Sequence, residues 1–255
     1  MLRAIWSSKS GMNAQQNKLD AISNNLANSE TTAYKSVDVG FKDLLQESLD
    51  RKGYPIKDKN STFGIGSRTT DWLRDNKQGP LQETNIASNM ALDGEGYFRV
   101  ITSDGSYAYT RDGSFTIDST GNIVDTFGNR LDIEFANGID RNNCNLTQNN
   151  LSINKYGEIF KRVGDETTYV GKINVYTALG TDSFKSIGSN LYLPGNDVQV
   201  MLSPDTRIYQ GFVEASNVDM ATELTDMIAS QRAYQMTSKA LTTADDMWGM
   251  INNLR

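Results

Sequence analysis

Apolar side chains return every seventh position near the start of the chain, at Ile5, Met12, Leu19 and Leu26, with Leu2 and Ile22 on the neighbouring stripe. A seven-residue return keeps one face of an α-helix apolar and suits it to a second helix. The stretch has no proline and a single glycine, Gly11, so nothing interrupts it before the polar run that opens at Ser23. Short polar side chains compete for backbone hydrogen bonds, and the helix is predicted to end near Asn28. The same spacing recurs at the other extremity, at Met220, Met227, Tyr234, Leu241 and Trp248, with Leu224 and Ile251 beside them. Asn217 or Asp219 is expected to cap this second helix, and Asp219 and Glu223 suit the positive end of its dipole.

The middle of the chain follows another rhythm. Residues 29–80 scatter Gly, Thr, Ser and Lys around the breakers Gly64, Gly66, Gly79 and Pro80, which predicts extended connectors. One short helical piece is expected over 39–49, where Phe41, Leu44, Leu45 and Leu49 recur at helical intervals. From residue 81 to 192, turn formers recur at intervals of about eight residues, as at Asp104 with Gly105, Asp112 with Gly113, Gly121 with Asn122 and Gly128 with Asn129. The short apolar runs between them (97–100, 107–110, 115–117 and 123–124) read as an antiparallel meander. Further strands are predicted at 151–154, 158–162, 169–170 and 172–177. The expected fold class is therefore α+β. Residues 1–28 and 216–255 pair as a coiled coil, 29–80 and 193–215 connect, and 81–192 form an inserted β domain.

Composition narrows the chemistry. At 255 residues the chain has room for one large or two small domains, taking about 150 residues per domain. Its net charge is -6, from 25 basic and 31 acidic residues, and its Lys and Arg never cluster beyond a dipeptide, so the electrostatic footprint of a nucleic-acid binder is missing. There are no histidines, which removes His-based triads and His-ligated metals; no cofactor or metal is expected. Cys144 has no second cysteine to pair with and reads as a bystander. The N-terminus lacks the apolar core of a secretory signal, so any export is expected to use another route. Gly64 with Gly66 and Gly94 with Gly96 lack the third glycine of a phosphate cradle. Asp93, Glu95, Asp104, Asp112 and Asp118 contain enough carboxylates for a glycan hydrolase, but most stand beside glycine, where aspartate forms turns. Asn60, Asn145 and Asn150 open sequons that chance accounts for in an Asn-rich chain.

The terminal seams are the stronger signal. One amphipathic helix would simply cover a core, whereas heptads at both extremities suggest that the ends meet. Trp6, Ile228, Met236, Met247 and Met250 lie off the seam and are available to neighbouring copies. An isolated pair of this kind is marginal, so the ends are expected to order on assembly. A coiled-coil adhesin fibre would share the heptads but close into trimers.

Three stretches carry a resemblance. SGMNAQQNKLDAISNNLANSETTAYK at 10–35 resembles the N-terminal signature of bacterial flagellar rod and hook proteins. QGFVEASNVD at 210–219, followed by MIASQRAY at 227–234, is similar to the matching C-terminal signature. LDGEGYF at 92–98 and YTRDGSF at 109–115 resemble the β domain of the same family. Ser23, Asn24, Asn25, Asn28, Asn217, Gln231 and Arg232 are the signature positions. The resemblance implies an axial structural protein rather than an enzyme. It would be exported by the flagellar type III apparatus without a cleaved signal peptide and polymerised helically into the basal-body rod that transmits torque to the hook. Its implied partners are further copies, neighbouring rod and hook proteins and, where an outer membrane is present, bushing-ring proteins. Length points to the distal-rod type, as do residues 53–66 and the run from Gln231 to Tyr234, with proximal-rod or hook-type relatives as the alternative.

Overall fold

The computed structural model describes residues 2–44, 46–48, 62–64, 66–136, 144–164, 166–178, 184–195, 198–203 and 205–253. Most of the 53–66 stretch and the Asn60 sequon lie outside them. The chain divides into two compact units, one of residues 1–29, 36–75 and 218–255, the other of 30–35 and 76–217. The architecture is α+β: an N-terminal helix, mainly antiparallel strands, and a C-terminal helix.

The first unit holds both helices, α1 (Leu2–Ala27) and α2 (Met220–Asn253). α1 ends where the sequence predicts, and its last turn is closed by side chains. Asn28 donates its side-chain amide to the Asn24 carbonyl (2.9 Å), and the Ser29 hydroxyl donates to the Leu26 carbonyl (2.9 Å), satisfying carbonyls that a helix end leaves open. α2 opens on Asp219, whose carboxylate accepts from the Ala221 amide (3.1 Å) and the Thr222 hydroxyl (2.6 Å). These bonds hold the Asp219 carboxyl below its ordinary range.

An antiparallel ribbon completes this unit. Val37–Asp38 pairs with Leu73–Arg74, Phe41–Asp43 with Ser67–Thr69, and Gln46–Ser48 with Thr62–Gly64. The helical piece expected over 39–49 is thus overturned at 41–43 and 46–48. Those segments find partners some twenty residues on, and paired strands outweigh a local spacing that also suits a helix turn. Val37 and Val39 pack against Ala21 of α1 in a small core.

The second unit is built on two antiparallel sheets. The larger has nine strands, running Thr116–Ile117, Ile123–Val124, Arg130–Leu131, Tyr97–Ile101, Tyr107–Thr110, Leu191–Pro194 and Phe184–Gly188, while Val175–Ala178 pairs both with Tyr97–Ile101 and with Val200–Leu202. The smaller joins Ile133–Phe135, Glu166–Ile173, Glu158–Val163 and Leu151–Ile153. Its core gathers Met90, Leu92, Phe98, Val100, Phe115, Ile123, Ile159 and Ile173. Turns fall at Asp104 with Gly105, Gly121 with Asn122 and Gly128 with Asn129, as predicted, but the meander breaks at Asp112 with Gly113, since Tyr107–Thr110 pairs with Leu191–Pro194 and not with Thr116–Ile117. Gly121 and Gly128 adopt φ of 81° and 84°, and the Asp125 carboxylate accepts from the amides of Phe127 and Asn129 (2.8 Å each). The strands expected at 169–170 and 172–177 divide differently: one runs unbroken over Glu166–Ile173 and the chain breaks at Asn174, where it leaves the smaller sheet for the larger.

Candidate functional site

α1 and α2 pack side by side. Asn25 donates to Glu223 (2.8 Å), Lys18 faces Asp226 (3.7 Å), and Gly11 lies where an added Cβ would meet Thr237 Cγ2 at 3.6 Å. Numbers rise along one helix as they fall along the other, so the pair is antiparallel. Along α2 the less exposed positions include Glu223, Met227, Ser230, Tyr234, Thr237, Leu241 and Ala244, in alternating steps of four and three, with Asp226, Ala233 and Ser238 beside them. That rhythm matches a helix facing another helix along its length.

The predicted assembly positions divide by burial. Ile22 is buried; Ile5, Met12, Leu19, Leu26, Met227, Tyr234 and Leu241 are half-buried; Met220, Leu224, Trp248 and Ile251 are exposed. Leu2 lies within α1, with its side chain outside the described residues. Of the signature positions, Ser23, Gln231 and Arg232 are exposed. Asn24 and Asn28 close the end of α1, Asn28 donating to Asn24 Oδ1 (2.8 Å). Asn217 donates to the Lys77 carbonyl (3.1 Å).

Asn25, only 2% exposed, has the most exacting role. Its amide nitrogen donates to the Val37 carbonyl (2.9 Å) as well as to Glu223, and its oxygen accepts from the Val37 amide (2.9 Å). One side chain thus imitates a strand partner for the ribbon while fixing the register of the two helices. Glu223 is raised above its ordinary range by burial, opposed by the Asn25 bond and reinforced by Asp226 and Asp38.

A second stripe runs along α2, about 130° around from the first at 100° per residue. It comprises Met236, Ala240, Thr243, Met247 and Met250, again at steps of four and three, and all five are exposed. Met236 is 68% exposed and Met250 59%. Trp6, Met220, Leu224 and Ile228 add apolar surface on the same unit. A row of exposed methionines like Met236, Met247 and Met250 is more apolar than a solvent-facing helix side needs, and such surface commonly marks an interaction site.

Within the second unit, three charged side chains that sequence reasoning assigned no role form a buried network. Glu214 accepts from Lys35 Nζ (2.5 Å) and the Gly79 amide (2.8 Å) on one oxygen and from Arg111 Nε (2.8 Å) on the other. Arg111 also donates to the carbonyls of Gly96 (3.1 Å) and Gly94 (2.6 Å), and Lys35 to that of Lys77 (2.6 Å). Burial alone would raise the Glu214 carboxyl, but the paired Arg111 and Lys35 hold it below its ordinary range. The network gathers the segments at 30–35, 76–79 and 214–217, where the chain enters and leaves this unit. Its one hint in the sequence is that Lys35, Arg111 and Glu214 all fall inside the three signature stretches.

The acidic residues considered for hydrolysis have structural partners or open positions. Asp112 accepts from Ser114 Oγ (2.7 Å) and Thr32 Oγ1 (3.0 Å). Asp118 accepts from the Ser119 amide (2.6 Å) in its own turn. Asp93, Glu95 and Asp104 are exposed.

Known proteins align with this arrangement along the whole chain. The family described as flagella basal body rod protein matches residues 7–35. The flagellar hook protein FlgE/F/G D1 domain matches 91–161, and the flagellar basal body rod FlgEFG protein C-terminal family matches 209–254. The flagellar basal-body rod protein FlgG of Borreliella burgdorferi is 34% identical, the alignment covering 100% of this chain and 99% of the relative. The protein of that name from Buchnera aphidicola is 36% identical over 97% of both chains. That from Agrobacterium fabrum is 33% identical over 98% of both.

Proposed function

The chain belongs to the FlgG-type flagellar basal-body rod family, and from that membership we propose that it is a structural subunit of the distal rod, polymerising helically into the shaft that carries torque from motor to hook. The observation that supports this most directly is the second stripe on α2. Its apolar side chains are turned away from the seam with α1, and a further copy is the natural cover for them. A contact between two different surfaces of identical subunits propagates without closing, which yields a helical polymer rather than a ring when the rotation does not return to its start.

In this reading α1 and α2 form a two-stranded antiparallel coiled coil that orders fully on assembly. The heptad residues Leu2, Ile5, Met12, Leu19, Ile22, Leu26, Met220, Leu224, Met227, Tyr234, Leu241, Trp248 and Ile251 divide between the internal seam and contacts with neighbours. The residues at 29–80 and 193–215 connect this inner layer to a β domain at 81–192. The subunit reaches its place through the flagellar type III apparatus without a cleaved signal peptide. It meets other rod and hook components and, where an outer membrane exists, the bushing ring.

Purified protein should polymerise with a critical concentration, followed by light scattering and electron microscopy. Met236→Asp, on the second stripe, should leave the monomer folded by circular dichroism and raise the critical concentration roughly a hundredfold, the equivalent of about 3 kcal/mol per subunit. Unchanged polymerisation of that variant would overturn the proposal.

A further inference from the structure

Five of the nine methionines of the chain lie on α2, at 220, 227, 236, 247 and 250. They are sorted by face. Met227 is half-buried on the side toward α1, whereas Met236, Met247 and Met250 stand on the second stripe, at 68%, 44% and 59% exposure. Met90, in the core of the second unit, is fully buried. Methionine suits a surface that must fit a neighbour, because its unbranched thioether adapts to irregular gaps. It also carries the apolar side-chain group most readily oxidised while it remains in water.

We propose that Met236, Met247 and Met250 form an oxidation-sensitive control point on the assembly face, open to peroxide in the free subunit and shielded once the face is covered. A lone pair on the thioether sulfur takes the terminal oxygen of hydrogen peroxide. The O–O bond breaks, an S–O bond forms and water leaves, so that sulfur is oxidised by two electrons and the peroxide reduced. Each sulfoxide puts a strong dipole where an apolar contact is needed, and burying it without a partner opposes assembly. Methionine sulfoxide reductases reverse the change, one enzyme for each epimer. The inference rests on the reading of this stripe as a polymer contact. It adds that the contact is gated by the oxidation state of three particular sulfurs.

The test treats full-length monomer with dilute hydrogen peroxide, maps sulfoxides by mass spectrometry and then measures polymerisation. Met236, Met247 and Met250 should oxidise far faster than Met90. The circular-dichroism melt should stay within a few degrees of untreated protein, while the critical concentration rises at least tenfold. The two reductases together should restore it. The exposed Met201 and Met220 also react under these conditions, so a Met236→Leu, Met247→Leu, Met250→Leu chain supplies the contrast: it should polymerise and keep doing so after peroxide. Normal polymerisation of the oxidised wild type, or equal peroxide sensitivity of the triple-leucine chain, overturns the inference alone. Failure of untreated wild type to polymerise overturns the rod reading and the inference with it.

Discussion

Single residues in this protein act out of proportion to their size when they are buried and polar. Glu214 neutralises two cations that have little water to turn to. Glu214→Leu should therefore destabilise the second unit by about 3–5 kcal/mol in urea titration, because Lys35 and Arg111 stay behind as uncompensated charges. Folding lowers the proton affinity of the Glu214 carboxyl. Its contribution is thus complete above the ordinary carboxylate range, about 4.3, and disappears as pH falls through the depressed value. Acid unfolding should be shallower once Glu214 is replaced. Ser88 is the opposite case, a fully buried hydroxyl with no hydrogen-bond partner in the described structure. Ser88→Ala removes that group and should stabilise the unit by about 1 kcal/mol, read from the same titration. Neither effect was legible in the sequence. The ion pairs of Glu214 join residues 103 and 179 positions apart, a separation that no local pattern encodes.

Elements were more legible where their pattern was local. The heptad returns located both helices, α1 closing at Ala27 beside the predicted Asn28 and α2 opening one residue after Asp219, the second of the two predicted caps, Asn217 and Asp219. Asp-Gly and Gly-Asn pairs located the turns of the larger sheet, because a left-handed backbone position selects residues that tolerate it. The ribbon over 37–74 was not legible. Phe41 and Leu44 are three apart, as on a helix, and the strand partners that decide otherwise sit beyond the local window. At the junction of ribbon and helices, Asn25→Ala should cost about 2–3 kcal/mol, since both the amide and the carbonyl of buried Val37 lose their partner. Glu223 gives this junction a pH response of the opposite sign to Glu214. Its affinity for a proton is higher folded than unfolded, so its stabilising effect is present in mild acid and lost as pH rises through the raised value. Amide exchange in the first turns of α2 should therefore slow as pH falls from neutrality toward the ordinary carboxylate value, about 4.3, after correction for intrinsic rates, and Glu223→Gln should remove that difference.

At the scale of the whole molecule, the α+β class and the mainly antiparallel strands followed from the contrast between heptad extremities and a turn-rich middle. The sequence did not disclose that 30–35, 76–79 and 214–217 are tied together by one charged network. Where a subunit bears load, every covalent path out of the second unit starts from that tie. The antiparallel pairing of α1 with α2 also has a consequence for synthesis. Asn25 waits 198 positions for Glu223, so in any chain made or threaded from its N-terminus α1 stays without that partner until Glu223 has followed it. A product cut short ahead of Glu223 leaves α1 without that partner, so pairing of the two helices reports that everything between them has been made.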